Sequence, residues 1–421
     1  MYTEFYHPHI EAKNLSAYTK KTKAYTDTLL SIIKDKDYTR HESALAIPGD
    51  TKYQNTITKS LAKFGDVKHV VLVGIGGSSL GTQAVYDALK THTSPTLLVL
   101  DALESSSIDT LSSLVKKVKK LEDIALVVVS KSGNTTETLC NADIAFSLFE
   151  KAYGPAYTSR VIAIGDANTP FVTQSKKKKI LTFTIPSNIG GRFSIFTAVG
   201  IVPLTLLKID TQALREGAID AVTQENLSIP AKEASLLAAS AKLGHHTVNF
   251  FTFTRIFITI GYWYRQLLAE SLGKPKTKQN KVFAEQLLPT VSSSIDLHSV
   301  AQLYFGGYRG VYTKFIELHN ENPLPVGQTW VTNLTTSLRE KTISDVRTAI
   351  SEGVLTAYKE SNLPYQSTSL SSIDARQVGY LLAQYMAEVM YLCHILNIDT
   401  FNQPNVELYK KHMREALTAG S

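Results

Sequence analysis

Five short apolar segments between residues 69 and 187 constrain this chain more than any other feature. They read HVVLVGIGG, TLLVLDA, IALVVVSKSG, RVIAIGDAN and ILTFTIPS, and stretches of helical length and polarity separate them. Strands that are apolar on nearly every residue must be buried on both faces, which points to a parallel sheet covered by helices on each side. Right-handed crossovers then bring the strand C-termini to one edge. In open sheets of this doubly wound α/β kind, ligands bind at that edge. The first and third segments end there in small, hydroxyl-rich turns.

After NIGGRFSIFTAVGIVPLTLL, residues 211–243 read as helical and polar, with a break at Pro230. A second set of apolar runs follows. HTVNFFTFT, KVFAEQLLPT and KFIELHN are strand-like, while Phe257 to Leu272, Val378 to Leu396 and the tail from Glu407 have helical periodicity. Residues 1–60 read as helical material packed outside the first sheet. The expected organisation is a smaller α/β domain over 60–205 and a larger one over 206–400. A helical segment over 1–59 joins them, and a C-terminal helix occupies 401–421. A length of 421 residues accommodates two or three such units at about 150 residues each. With 43% hydrophobic and 19% charged residues, the chain lies outside the disordered class.

Two cysteines, Cys140 and Cys393, cannot build a disulfide framework, and neither has a His or Cys neighbour at metal-ligand spacing. A reducing, cytoplasmic setting is expected. The N-terminus MYTEFYHPHIEAK lacks an apolar signal region, and no apolar run reaches the roughly 18 residues of a membrane span. Net charge is +7, from 44 Lys and Arg against 37 Asp and Glu. The lysine clusters at 116–120 and 176–179 have no interleaved aromatics, so they read as solvated faces that steer anionic metabolites rather than as a nucleic-acid surface.

Val70 to Gly81, VVLVGIGGSSLG, is a strand entering a Gly-rich turn and then a helix, an arrangement that offers backbone N–H groups to a phosphate. A dinucleotide fingerprint fails because Ser79 stands where its third glycine belongs, and a P-loop fails because Thr82 and Gln83 follow Gly81. The second turn, VVVSKSGNTTET, places Ser130, Ser132, Thr135 and Thr136 before a helix from Glu137. One helix cap needs one hydroxyl, so four suit a phosphate monoester held between both turns.

These strings also carry a resemblance. GIGGSSLG, SKSGNTTET, NIGGRFS, QLLAESLGK, DLHS and FNQPNVELYK occur in this order from residue 74 to residue 410. Together they resemble the glucose-6-phosphate isomerase family of compact bacterial type. The first two are shared with the wider sugar-isomerase domain superfamily, and the last four single out this family. The resemblance implies two sugar-isomerase-type domains and an aldose–ketose isomerase that interconverts glucose 6-phosphate and fructose 6-phosphate through a cis-enediol, with no cofactor and no metal. It also implies a homodimer with composite active sites.

Residue by residue, the resemblance makes Ser78, Ser130, Ser132 and Thr135 phosphate ligands beside Gly77, with Lys131 as a nearby cation. Arg192 would face the reacting carbons, where a guanidinium beside two glycines can approach a substrate closely and stabilise an oxyanion. Glu270 matches the general base, with Gln266 one turn earlier, and Leu267, Leu268 and Leu272 are expected to give it an apolar setting. On the residues alone, the favoured reading of Glu270 is an ordinary helix pair with Lys274 at i,i+4. His298, implied to come from the partner subunit, and Lys410 match the ring-opening pair. Lys411 competes with Lys410, and only the spacing from Gln403 separates them. Asn134, Asn402 and Asn405 stand where the family commonly has Thr, Asp and Gly, and a tight turn is expected at Asn405.

Two other readings remain: a sugar-phosphate-binding regulator without catalysis, and an isomerase that also accepts mannose 6-phosphate. The regulator would need a DNA-binding unit, which the first 60 residues do not offer.

Overall fold

The computed structural model describes residues 1–10, 12–319 and 324–419. The N-terminal stretch holds β1 (Tyr2–Tyr6), α1 (Ala12–Asp35) and α2 (Thr51–Leu61). The five apolar segments become β2 (His69–Val73), β3 (Thr96–Leu100), β4 (Ile124–Val129), β5 (Val161–Gly165) and β6 (Leu181–Thr184). Between them run α3 (Leu80–Leu89), α4 (Ser105–Lys117), α5 (Thr136–Tyr153) and α6 (Pro170–Lys177). All pairings are parallel, in the order β3-β2-β4-β5-β6. The chain order reverses between β2 and β4, and such a reversal opens a crevice at the strand C-termini. The two hydroxyl-rich turns leave these two adjacent strands.

Helices α7 (Ala198–Leu206), α8 (Thr211–Ala221) and α9 (Ser228–Lys242) lead to a second sheet. Pro230 does not break α9 but sits in its first turn, where its missing N–H costs nothing. The second sheet contains β7 (Thr247–Thr252), β8 (Leu288–Ser293), β9 (Val311–Leu318) and β10 (Tyr365–Leu370). With them lie α10 (Ile258–Leu272), α11 (Ala301–Phe305), α12 (Ile343–Glu360) and α13 (Ala375–Ile395), and α14 (Glu407–Ala419) ends the described chain. The strand order is β1-β10-β9-β7-β8, parallel except for β1. Among the described residues, no helix is long and apolar enough to cross a membrane.

Three sequence expectations need correction. Residues 1–60 are not wholly helical: β1 closes the second sheet antiparallel to β10, with Tyr2 opposite Ser369 and Tyr6 opposite Tyr365. Helix α1 packs on α9 and α13 rather than outside the first sheet. In KVFAEQLLPT only the last three residues are strand, because Phe283 and Leu287 drop into the core from an irregular segment while Val282 is exposed. For KFIELHN the strand ends at Leu318, and Asn320 lies outside the described residues.

One apolar cluster runs between the sheets, from Val70 and Leu72 through Leu204, Trp263 and Leu267 to Val248 and Ile316. Helix α10 is central to it. Ile260, Trp263, Tyr264, Leu267, Leu268 and Leu272 recur at helical spacing and are fully buried. Each buried leucine contributes about 1.5–3 kcal/mol, so the helix that carries Gln266 and Glu270 is firmly seated.

Candidate active site

The first turn follows β2 and tightens into a single helical turn at Gly76–Ser78. Gly76 has φ +59°, and a Cβ there would lie 2.9 Å from Gln266 Nε2. A Cβ on Gly77 would lie 2.2 Å from the carbonyl carbon of Gly191 and 2.6 Å from the Arg192 nitrogen. The two glycines thus let α10 and the NIGGRFS loop come down onto the turn. Ser78 is half-buried, and the buried Ser79 hydroxyl has no protein partner.

The second turn leaves β4. Ser130 is buried, and its Oγ also lacks a protein partner. Ser132 Oγ and Thr135 Oγ1 are 3.4 Å apart. Thr135 occupies the N-cap of α5 without making a side-chain cap, and Ser79 does the same at α3. Helix capping therefore does not explain the hydroxyls, and two helix starts present uncapped N–H groups at the sheet's switch point. Lys131 Nζ donates to the carbonyls of Ser187 (2.9 Å) and Ile189 (2.7 Å).

Arg192 is 1% exposed. Its Nε donates to Ser271 Oγ at 2.9 Å, Nη1 to Glu270 Oε2 at 3.2 Å and to Gln403 Oε1 at 3.4 Å, and Nη2 to the Thr400 carbonyl at 2.5 Å. Burial lowers its pKa and Glu270 opposes the shift; a guanidinium stays charged through such a change. Glu270 Oε1 accepts from Gln266 Nε2 at 2.8 Å. The carboxylate is half-buried and held by a guanidinium and an amide, while Leu267, Leu268 and Leu272 are fully buried in the core cluster.

Lys274 is no ion-pair partner for Glu270 either. Its buried ammonium donates to the carbonyls of Glu270 (2.8 Å) and Ser271 (3.0 Å), closing the end of α10. The geometry leaves the Glu270 carboxylate and the Arg192 guanidinium facing each other beside two anion-type turns. That pairing can take a proton from carbon and stabilise the negative charge left behind.

The family model described as phosphoglucose isomerase matches residues 57–419. The chain belongs to the phosphoglucose isomerase family. Glucose-6-phosphate isomerase of Leuconostoc mesenteroides is 31% identical over 369 residues, which cover 83% of this chain and 79% of the relative. A hypothetical protein from Thermus thermophilus shares the fold at TM-score 0.85 and 23% identity, with 96% of each chain covered. A glucose-6-phosphate isomerase from Chlamydia trachomatis does so at TM-score 0.80 and 19% identity, covering 99% of this chain and 88% of that one.

Of the residues that the resemblance to phosphoglucose isomerases singles out, the structure brings together Gly77, Gln266, Glu270, Arg192 and Gln403. It sets Ser78, Ser130, Lys131, Ser132 and Thr135 on the two adjoining turns. Among the described residues neither His298 nor Lys410 bonds to Arg192, Glu270, Gln266 or Gln403. His298 ends an exposed turn after β8, beside a groove formed with Gln302 and Phe305 of α11 and Ile350 and Gly353 of α12. Lys410 donates to Glu407 Oε1 at 2.8 Å on α14. Its side chain is 34% exposed against 67% for Lys411.

Asn405 needs no left-handed turn. It lies in a short helical turn, Pro404–Val406, and its side chain donates to the Gly273 carbonyl at 3.2 Å. Sequence reasoning missed Ser271 and the Thr400 carbonyl, the two buried acceptors that complete the Arg192 cradle. Ser271 adjoins Glu270 in QLLAESLGK and could have been weighed; a backbone carbonyl leaves no trace in residue identity. Among the described residues, no group of three or more His, Cys, Asp or Glu side chains could hold a metal ion.

Proposed function

We propose that this chain interconverts glucose 6-phosphate and fructose 6-phosphate, taking the sugar phosphate between the turns at 76–81 and 130–136. The observation that carries the reading is the Glu270–Arg192 pair, 3.2 Å apart, at the edge where two hydroxyl-bearing strand ends meet. Ser78, Ser130, Ser132 and Thr135 bind the phosphate. His298 and Lys410 open the sugar ring, Lys410 giving a proton to the ring oxygen. Glu270 then removes the C2 proton, Arg192 stabilises the enediolate charge, and the proton returns at C1. No net oxidation occurs, so the chain's own residues can carry every step. The family match over residues 57–419 supports the assignment and favours it over a non-catalytic regulator.

The reading includes a cytoplasmic homodimer in which His298 serves the partner's site. Two features support it: among the described residues of one chain His298 makes no bond to Glu270, and the exposed apolar side chains of Phe305 and Ile350 line the groove beside His298. Contiguous exposed apolar surface marks association sites. Lys410 is preferred to Lys411 because it is the more shielded of the two.

A coupled assay tests function and assembly together. The parent should turn over glucose 6-phosphate. His298→Ala and Glu270→Gln chains should each be nearly inactive, yet recover activity when refolded together, since each heterodimer then has one intact site. No turnover by the parent removes the isomerase reading. No recovery despite confirmed heterodimers means both residues act from one chain.

A further inference from the structure

The segment entering Arg192 is gripped from two sides. On one side, Lys131 Nζ bonds the carbonyls of Ser187 and Ile189, 56 and 58 residues further along the chain. On the other, the Asn188 carbonyl meets His41 Nδ1, and the Asn188 amide donates to the Arg40 carbonyl and, at 3.0 Å, to Ser43 Oγ. Ile189 is fully buried. Two residues later, Gly191 rests on Gly77 and the chain delivers Arg192 into its cradle.

An ammonium has three donors, and Lys131 places two of them on backbone carbonyls that flank one residue. A cation serving only as an anion ligand has no need of that geometry. The side chain is half-buried, and burial lowers its pKa with Arg192 adding to the effect, so the two cations lie within each other's field.

We infer that Lys131 is a positioning residue for Arg192: it holds the 187–191 segment at the height from which the guanidinium reaches the reacting carbons. This inference rests on the isomerase reading. Lys131 belongs to the turn proposed to bind phosphate, so one side chain ties that turn to the group stabilising the enediolate. Misplacing a reacting group by about 1 Å can cost about 10²-fold in rate.

The test compares two probes on the full chain. Inorganic phosphate occupies only the phosphate turns, whereas 5-phospho-D-arabinonate adds a carboxylate where the enediolate charge develops. In Lys131→Met the second probe should bind about 10²-fold more weakly and phosphate within about threefold of the parent, with kcat falling more than KM. Lys131→Arg, which keeps charge and donors, should retain most of the parental ratio. Asn188→Ala, which removes the side-chain bonds to Arg40 and Ser43 and no group of the phosphate turns, should show the same selective loss on a smaller scale, about tenfold.

Equal loss on both probes in Lys131→Met would make Lys131 a phosphate ligand and overturn the inference, as would loss on neither. An unchanged ratio in Asn188→Ala would remove the loop as the means. Should Lys131→Met not fold, Lys131→Gln takes its place. Parental turnover of glucose 6-phosphate reports separately on the isomerase reading.

Discussion

Glu270 accepts from Arg192 with one carboxylate oxygen and from Gln266 with the other, so neither its position nor its rotamer is left free. Replacing it by glutamine keeps the shape and one acceptor but removes the ability to take a proton. Glu270→Gln should therefore lower kcat by about 10²–10⁴-fold with little change in KM, as expected for a group that acts in the transition state. Steady-state kinetics with glucose 6-phosphate checks this, and near-parental kcat would release Glu270 from the role. At this scale the residues of the candidate site were legible as candidates: the hydroxyls of the second turn stood out by density, and Arg192 and Glu270 by motif. Their surroundings were not. Helical spacing showed leucines next to Glu270 but not the guanidinium and amide that hold its carboxylate, and Lys274 had the right offset for an ion pair yet closes the helix end instead.

Among the elements, the first sheet was readable because its central strands β2, β4 and β5 are buried on both faces and so are apolar at nearly every position. The second sheet was harder to read. Strand β10, YQSTSL, is buried yet polar, and its side chains are satisfied in ways composition does not reveal: Gln366 donates to Glu233 Oε1 at 2.7 Å and Ser367 to Glu317 Oε1 at 2.6 Å. Strand β1 is a five-residue edge with weak alternation, and only its pairing with β10 makes it a strand.

Beneath this sheet, Lys314 lies 2.5 Å from Glu388 and 3.7 Å from Glu233, with all three buried. Burial, reinforced by the second carboxylate, pushes Glu233 up to about 8 against the pull of Lys314, whereas in the unfolded chain it titrates near about 4.3. The folded state holds this proton more tightly. Its stabilisation is therefore complete below the unfolded value and is lost as pH rises to the folded one. Urea unfolding across that window should show stability falling with pH in the parent and a shallower fall in Glu233→Gln. Parallel profiles would mean that Glu233 is ionised in the fold.

At the scale of the molecule, the two sheets share one apolar cluster, and α10 carries Glu270 from that core to the edge of the first sheet. The net charge of +7 favours the approach of a dianionic sugar phosphate. What sequence could not supply at this scale is distance. The motifs containing His298 and Lys410 are as recognisable as the others, but only the fold shows that neither residue bonds to Arg192 or Glu270 within one chain. The central claim is that a carboxylate at the Glu270–Arg192 pair moves a proton between C1 and C2, and its most direct test uses glucose 6-phosphate deuterated at C2. Purified protein should convert it to fructose 6-phosphate and release part of the deuterium to water, because a proton held on a half-buried carboxyl can exchange before it returns. Turnover with the label wholly retained at C1 would point to a hydride shift, and an absence of turnover would contradict the account altogether.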